Sequence, residues 1–293
     1  MNNKKGIILA GGSGSRLYPS TLSISKQLLP VHDKPMVYYP LTTLMLAGIK
    51  DILLITTPED IERFKKLLKD GNQWGINISY SKQEKPNGIA QAITIAEDFI
   101  KNDNIALILG DNIFYGNNLT VIMDEAMQLN EGATIFAYAV KNPNRYGVVE
   151  IDSNNMPIEI IEKPIKTNSK LAITGLYFFD KFALKYAKQL KPSSRGEYEI
   201  TELNRIYLNK NSLNVQVMGR GYAWFDAGTH SSLLEASQFI STIENRQNFK
   251  IACPEEIAFT KKYISESQLK ELANLYNNND YGEYLFSLIK ENL

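Results

Sequence analysis

The chain opens with a short apolar run, residues 5–9, that stops at Ala10-Gly11-Gly12-Ser13-Gly14-Ser15. A run of this length bounded by turn residues reads as a buried strand breaking into a glycine-rich loop. Similar runs recur at 51–56, 76–81 and 105–109, while 36–47, 59–69, 88–100 and 119–129 between them carry apolar residues at helical spacing. Strands alternating with helices predict an α/β architecture, a mainly parallel sheet covered by helices.

After Gly132 the rhythm changes. Closely spaced β-like segments at 134–140, 147–151, 158–162 and 171–179 are separated by turn-rich stretches such as Lys141-Asn142-Pro143-Asn144-Arg145. They predict an inserted antiparallel region over about 133–200, which makes the whole a mixed α/β fold. Helical spacing at 181–188 and 200–209 precedes β-like runs at 213–218 and 222–225, both expected to rejoin the main sheet. The remainder reads as helical, at 231–244 and 266–276, with a break at Asn277-Asn278-Asn279-Asp280 before a last short helix. The expected division is therefore a core over 1–230 and a helical region over 231–293.

Composition narrows the classes of function. At roughly 150 residues per domain, 293 residues give about two domains, or one large domain with an appendage. With 44% apolar and 22% charged residues the chain is globular rather than disordered or collagen-like. Thirty-two basic residues cancel 32 acidic ones, which leaves no overall field for nucleic acid or an anionic membrane. One cysteine rules out an internal disulfide framework, and two distant histidines, His32 and His230, exclude the usual zinc spacings. Residues 1–9 hold two lysines and an apolar run too short for a secretory leader, and nothing later approaches a membrane span. A cytoplasmic protein is expected.

Small residues from Gly11 to Ser15 let backbone N–H groups turn toward an anion, and Arg16 adds a forked, permanently charged donor. The same residues fit a tight β-to-α turn with Arg16 in solvent. Neither familiar glycine motif matches: Leu17 stands where a dinucleotide fold wants its third glycine, and no Gly-Lys-Ser/Thr follows, so a nicotinamide oxidoreductase or ATPase is disfavoured. Lys26 lies beside Leu28-Leu29-Pro30, which can hold its stem and leave the ammonium free for phosphate oxygens. Asp111 follows the 105–109 run, where a strand end presents a carboxylate to a crevice beyond the sheet, and Asp226 follows Trp224-Phe225 in a similar position. Two such carboxylates suit a hard divalent cation such as magnesium; a turn cap at Asp111 and a helix cap at Asp226 are the alternatives.

Gly11-Gly12-Ser13-Gly14-Ser15-Arg16-Leu17-Tyr18-Pro19, followed by Ser25-Lys26-Gln27-Leu28-Leu29-Pro30, resembles the signature of the sugar-1-phosphate nucleotidylyltransferases. Asp33-Lys34-Pro35-Met36, Leu109-Gly110-Asp111-Asn112-Ile113-Phe114-Tyr115-Gly116 and Met218-Gly219-Arg220-Gly221-Tyr222-Ala223-Trp224 look most like the members that act on dTTP and glucose 1-phosphate. The likeness spans essentially the whole chain, through Glu244-Asn245-Arg246-Gln247 and Ala252-Cys253-Pro254-Glu255-Glu256, with Ser15 in place of the commoner threonine.

The resemblance implies a Rossmann-like sheet with a sugar-binding insertion and C-terminal helices. It implies Arg16 and Lys26 as catalytic cations, and Leu9, Gly11, Gly12, Ser13, Gly14, Ser15, Gln83, Gly88 and Asp111 around the nucleotide. By the same likeness Lys163 and Arg195 look like sugar-phosphate contacts, Tyr146, Gly147, Glu162 and Ile173 like the glucose cradle, and Asp111 with Asp226 like the holders of Mg²⁺. Gln83 offers the donor and acceptor that match the edge of thymine, and uracil presents the same edge, so a uridylyltransferase is an alternative. A catalytically silent nucleotide-sugar sensor is a second, disfavoured by the joint presence of Arg16, Lys26, Asp111 and Asp226. Family members are typically homotetramers that feed deoxysugar and rhamnose synthesis, with dTDP-rhamnose as a feedback ligand.

Overall fold

The computed structural model describes residues 4–290. The first three residues of the chain and the last three of the expected helical region lie outside the described residues. The strands are β1 (Lys5–Ala10), β2 (Pro30–Val31), β3 (Lys34–Pro35), β4 (Asp51–Thr56), β5 (Asn77–Lys82), β6 (Ile105–Leu109), β7 (Asn112–Gly116), β8 (Ala133–Ala139), β9 (Gly147–Ile151), β10 (Pro157–Glu162), β11 (Leu171–Phe179), β12 (Leu213–Met218) and β13 (Tyr222–Asp226). The helices are α1 (Tyr38–Leu46), α2 (Ile61–Leu68), α3 (Gln91–Ile95), α4 (Glu97–Ile100), α5 (Leu119–Gln128), α6 (Ala183–Ala187), α7 (Ile200–Asn209), α8 (His230–Gln247), α9 (Pro254–Thr260), α10 (Glu266–Asn274) and α11 (Asp280–Lys290).

One sheet of nine strands runs β10-β9-β11-β6-β1-β4-β5, with β8 on the other edge of β11 and β12 beyond β8. β1, β4, β5 and β6 are parallel, and β11 joins β6 antiparallel. Burial on both faces explains why these strands are unbroken apolar runs. Ile8, Leu54 and Ile108 face α1, α2 and the C-terminal helices, while Ile7, Leu53, Ile55 and Leu107 face α3, α6 and α7. A third cluster, Val31, Met36, Ile113, Ala236 and Ile240 among its members, seats α8 on the β7–β13 ribbon.

The structure agrees with some of these expectations and differs from others. The region over 133–200 is antiparallel in its β10–β9, β11–β8 and β11–β9 pairings and is continuous with the main sheet, because β11 pairs directly with β6 and carries β8 and β9 into it. β12 rejoins that sheet as expected, but β13 does not. It pairs with β7 in a two-stranded ribbon, from Tyr222↔Gly116 to Asp226↔Asn112. The 88–100 helix is two short helices that meet at Ala96, and β2, β3, β7 and α9 have no counterpart in the sequence expectations.

β11 forks the sheet. Ala172 pairs with Val148 of β9, and from Leu176 onward the same edge pairs with β6, so Ile173, Thr174 and Gly175 have no strand partner there. The ladder to β8 is also irregular between Ile173 and Tyr177. A gap opens between the ends of β6 and β9.

Candidate active site

The carboxyl ends of β1, β4 and β6 lie together at the point where an open α/β sheet binds its ligands. Leu9 is half-buried there, and its carbonyl accepts a hydrogen bond from Gly110 N at 2.9 Å. Gly11 is pressed against Gln83: a Cβ on residue 11 would lie 2.4 Å from Gln83 Oε1. Gly14 adopts φ 62 at the head of a single turn, Ser15–Leu17, where only glycine is free of strain. The Thr21 hydroxyl fixes that turn by donating to the Gly14 carbonyl at 2.7 Å. Gly12, Ser13, Ser15 and Arg16 are exposed around it.

Lys26 begins a second short turn and is buried. The sequence reading leaves its ammonium free; in the structure Nζ donates to Asp111 Oδ2, across 85 positions of sequence. Asp111 sits one residue beyond the Gly110 turn that ends β6, and Asn112 Nδ2 donates to its other oxygen at 3.1 Å. Burial pushes the Asp111 carboxyl up, but Lys26 and the Asn112 amide outweigh it and hold it below the usual carboxylate range.

Asp226 closes β13 opposite Asn112, and the following Ala227 N donates to the Asp111 carbonyl at 3.0 Å. Burial and the negative charge of Asp111 push the Asp226 carboxyl up, against the pull of Lys26, Arg16 and Arg145. Asp226 is not the cap of α8, which is Thr229. Two oxygen donors that repel one another and are held by paired strands fit a hard divalent cation that keeps part of its water shell. Gly228 lets Arg16 approach them: a Cβ there would lie 3.0 Å from Asp226 Oδ1 and 3.1 Å from Arg16 Nη2.

The fork in the sheet holds a cavity of about 200 Å³. Eight of the expected residues line it: Arg16, Asp111, Tyr146, Gly147, Glu162, Lys163, Ile173 and Asp226. Glu162 Oε2 accepts from the Thr201 hydroxyl at 2.5 Å, and Gly147 brings the backbone so close that a Cβ would lie 3.2 Å from the same oxygen. Lys163 has φ 43, a left-handed conformation at which Lys163 N donates to the Tyr146 carbonyl at 3.0 Å and Nζ stands 3.6 Å from Glu162 Oε1. Arg195 does not line the cavity. Its Nη2 donates to Glu199 Oε1 at 2.8 Å and to Glu162 Oε1 at 3.1 Å, and these carboxylates with Glu197 raise its already high pKa.

Gln83 and Gly88 also lie outside that cavity, with Gln83 against Gly11 of the glycine-rich loop and its Nε2 3.4 Å from the Gly88 carbonyl. Gln83 is buried, with Nε2 donating to Gln91 Oε1 at 2.8 Å. Gly88 has φ 107, and a Cβ there would lie 2.4 Å from the Tyr198 carbonyl oxygen, so both its backbone conformation and the close approach of the 198 segment require glycine. The sequence reading missed Asn112, Arg145, Thr201, Glu199, Gln91 and Gly228. Asn112 and Glu199 had a signal in their neighbours Asp111 and Arg195; the others had none, because their partners meet them only in the fold.

Among the described residues one group of three possible metal ligands, His32, Asp33 and Glu244, lies apart from this site. Lys34 pairs with Asp33 and stands 2.9 Å from Glu244, and Lys250 Nζ lies 2.6 Å from Asp33 and 3.1 Å from Glu244, so both carboxylates are already neutralised by ammonium groups.

The nucleotidyl transferase family pattern matches residues 5–243. This chain belongs to the nucleotidyl transferase family. It is 58% identical to a glucose-1-phosphate thymidylyltransferase of Neisseria meningitidis over 98% of its length and 100% of the relative's. It is 52% identical to the Mycobacterium tuberculosis enzyme of the same name, over 98% of this chain and 100% of that one. A crystallised Bacillus anthracis chain, a proposed glucose-1-phosphate thymidylyltransferase in complex with a sucrose, superposes with a TM-score of 0.75 at 43% identity, covering 80% of this nucleotidyl transferase and 94% of that chain. A UDP-glucose pyrophosphorylase complexed with UDP-glucose shares the fold, with a TM-score of 0.72 at 23% identity over 82% of this chain and 99% of that one. Among the described residues no helix is long and apolar enough to cross a membrane.

Proposed function

We propose that this nucleotidyl transferase is a Mg²⁺-dependent glucose-1-phosphate thymidylyltransferase, which joins dTTP and glucose 1-phosphate into dTDP-glucose and releases pyrophosphate. The observation that carries the reading is the forked cavity, where cationic Arg16, Arg145 and Lys163 share a wall with Asp111, Asp226 and the hydrogen-bonding groups around Glu162. Nucleotide chemistry enters from the loop after β1, and sugar chemistry from β9, β10 and β11.

The second pKa of a phosphomonoester is about 6, so at neutral pH the attacking oxygen of the sugar phosphate is already an anion and needs no general base. The protein has to suppress repulsion between two anions and align the oxygen with the α-phosphorus. In our reading Lys163 and Arg195 hold the sugar phosphate, and Arg16 and Lys26 neutralise the triphosphate as negative charge builds on the departing pyrophosphate. One P–O bond forms to the α-phosphorus as the bond to the β-phosphate oxygen breaks, in line. Asp111 and Asp226 are the side chains that would hold Mg²⁺, whose chemistry is to screen phosphate charge. Tyr146, Gly147, Glu162 and Ile173 cradle the glucose. The loop from Gly11 to Ser15, with Leu9, carries the phosphates and ribose, and Gln83 with Gly88 faces the base.

The same reading takes residues 1–230 as the transferase core and 231–293 as the helical part of a cytoplasmic homotetramer with dTDP-rhamnose as feedback ligand; light scattering and inhibition by that nucleotide test those clauses. The reaction itself is tested by supplying the protein with Mg²⁺, glucose 1-phosphate and each nucleoside triphosphate in turn. Pyrophosphate release fastest with dTTP is expected. Release faster with UTP would overturn the thymidylyl assignment, and none with any triphosphate would leave a nucleotide-sugar sensor.

A further inference from the structure

We propose that Lys26 is a placeholder for the divalent cation: in the free protein its ammonium neutralises Asp111 and keeps that carboxylate from taking a metal ion until an anionic triphosphate draws the lysine away. This rests on the reading in which Asp111 and Asp226 hold the metal. Both partners of the pair are buried, Nζ donates to Oδ2, and Asn112 Nδ2 occupies Oδ1 at 3.1 Å. Each Asp111 oxygen thus already faces an N–H donor. A dication at Oδ2 would have to stand beside the ammonium in a site that burial makes poorly screening, where two positive charges repel strongly.

The other aspartate does not relieve this. Asp226 offers a single carboxylate, and Gly228 lets the Arg16 guanidinium approach the same place, with a Cβ there 3.0 Å from Asp226 Oδ1 and 3.1 Å from Arg16 Nη2. Lys26 has somewhere else to go. Its stem passes Gly12, with Cε 3.9 Å from where a Cβ on that glycine would sit, so rotation about a flexible four-carbon chain swings the ammonium along the phosphate loop. Phosphate oxygens would then replace Asp111 as its partner as the carboxylate is released to the cation. Metal and nucleotide accordingly bind with positive coupling, which by linkage is the same in either order.

The test uses Mn²⁺ alone, titrated into the full chain at pH 8 without nucleotide, with free Mn²⁺ followed by electron paramagnetic resonance. Lys26→Met, which keeps the stem and removes the charge, should bind Mn²⁺ at least about tenfold more tightly than the wild type, or about 1.4 kcal/mol. Lys26→Arg should bind as weakly as wild type, and Lys26→Met/Asp111→Asn should lose the gain. The unaltered protein gives a second readout. Acetylation of Lys26 by acetic anhydride, mapped by peptide mass spectrometry, should be slow without metal and should rise with Mn²⁺ at the midpoint of metal binding. The proposal is overturned if Lys26→Met gains nothing, if the gain survives Asp111→Asn, or if Lys26 stays unreactive while Mn²⁺ binds. None of these results bears on the wild type's divalent-dependent pyrophosphate release, which is measured separately; full turnover by the wild type in excess EDTA would instead overturn the metal assignment beneath it.

Discussion

Asn112 Oδ1 accepts a hydrogen bond from Trp224 Nε1 at 2.6 Å. The same oxygen accepts from Gly175 N at 2.9 Å, and the amide nitrogen donates to Asp111 Oδ1 at 3.1 Å. One carboxamide therefore ties the β7–β13 ribbon, the unpaired stretch of β11 and the buried Asp111 together at the fork. The arrangement requires both an acceptor and a donor, which aspartate or leucine at this position cannot supply.

Asn112→Ala should leave the Trp224 and Gly175 N–H groups without partners and free the Asp111 carboxylate to rotate. We expect a loss of about 2–6 kcal/mol in urea unfolding, from roughly 1–3 kcal/mol for each of the two stranded buried donors, together with a fall in kcat larger than the change in either KM. Near-normal stability and turnover would show that water replaces the amide and that the tie is dispensable.

Gly228→Ala tests the approach of Arg16 to Asp226. The added methyl would sit about 3 Å from both side chains, closer than they can tolerate without moving, and Gly228 carries no positive φ that would add backbone strain. A displacement of catalytic groups by a fraction of an ångström to an ångström costs on the order of 10- to 100-fold in rate. Steady-state kinetics should show that loss in kcat/KM, with thermal unfolding nearly unchanged.

Much of this site could be read from the chain because its carboxylates and glycines follow strands. Leu109-Gly110-Asp111 is an apolar run, a turn and an acid in direct succession, and the run predicts where the acid points. β13 was harder. Tyr222–Asp226 reads as a strand, but nothing in five residues says whether its partner is the main sheet or Asn112–Gly116, a segment with no strand signal of its own until the two pair. Arg195 shows the limit at the level of a side chain. Its spacing to Glu199 is local, but Glu162 is 33 positions away and reaches it only because β10 and α7 pack together. The pairing of Lys26 with Asp111 is of the same kind: periodicity assigns each to its element and cannot show that the two ends meet.

A pH effect is expected far from the site, at Lys4. Its buried ammonium donates to the carbonyls of Ala126 at 2.7 Å and Leu129 at 2.6 Å. Burial, only partly opposed by Asp180, lowers its pKa from 10.5 to about 8. Between those two values the unfolded chain holds a proton that the folded protein has lost, so the contribution of Lys4 to stability rises with pH across that window and is flat below it. Relative to Lys4→Met, the wild type should gain about 2 kcal/mol in urea unfolding between pH 7.5 and pH 10, since a tenfold change in proton concentration is worth about 1.4 kcal/mol per proton. Parallel curves for the two proteins would mean that the two carbonyls keep the ammonium charged throughout.

The amide of Gln83 is oriented before any nucleotide arrives. Nε2 donates to Gln91 Oε1 at 2.8 Å, which leaves Oε1 as the atom against the Gly11 backbone and fixes which end of the amide faces which neighbour. Gln83→Glu keeps the shape but turns that contact into a carboxylate facing an amide oxygen, two acceptors with no proton between them. Gln91 can answer by turning its own amide round, so the expected cost to folding is small. The cost to recognition is not, because the residue no longer offers a donor and brings a negative charge to the side of the loop proposed to hold phosphates. We expect KM for dTTP to rise about tenfold or more while KM for glucose 1-phosphate stays within twofold, consistent with about 1–3 kcal/mol for a lost buried partner. Gln91→Ala should give a smaller rise, since it removes the orienting acceptor and leaves Gln83 itself in place. A Gln83→Glu protein whose two KM values rise together would place Gln83 outside base recognition and assign it to the packing of the loop against β5.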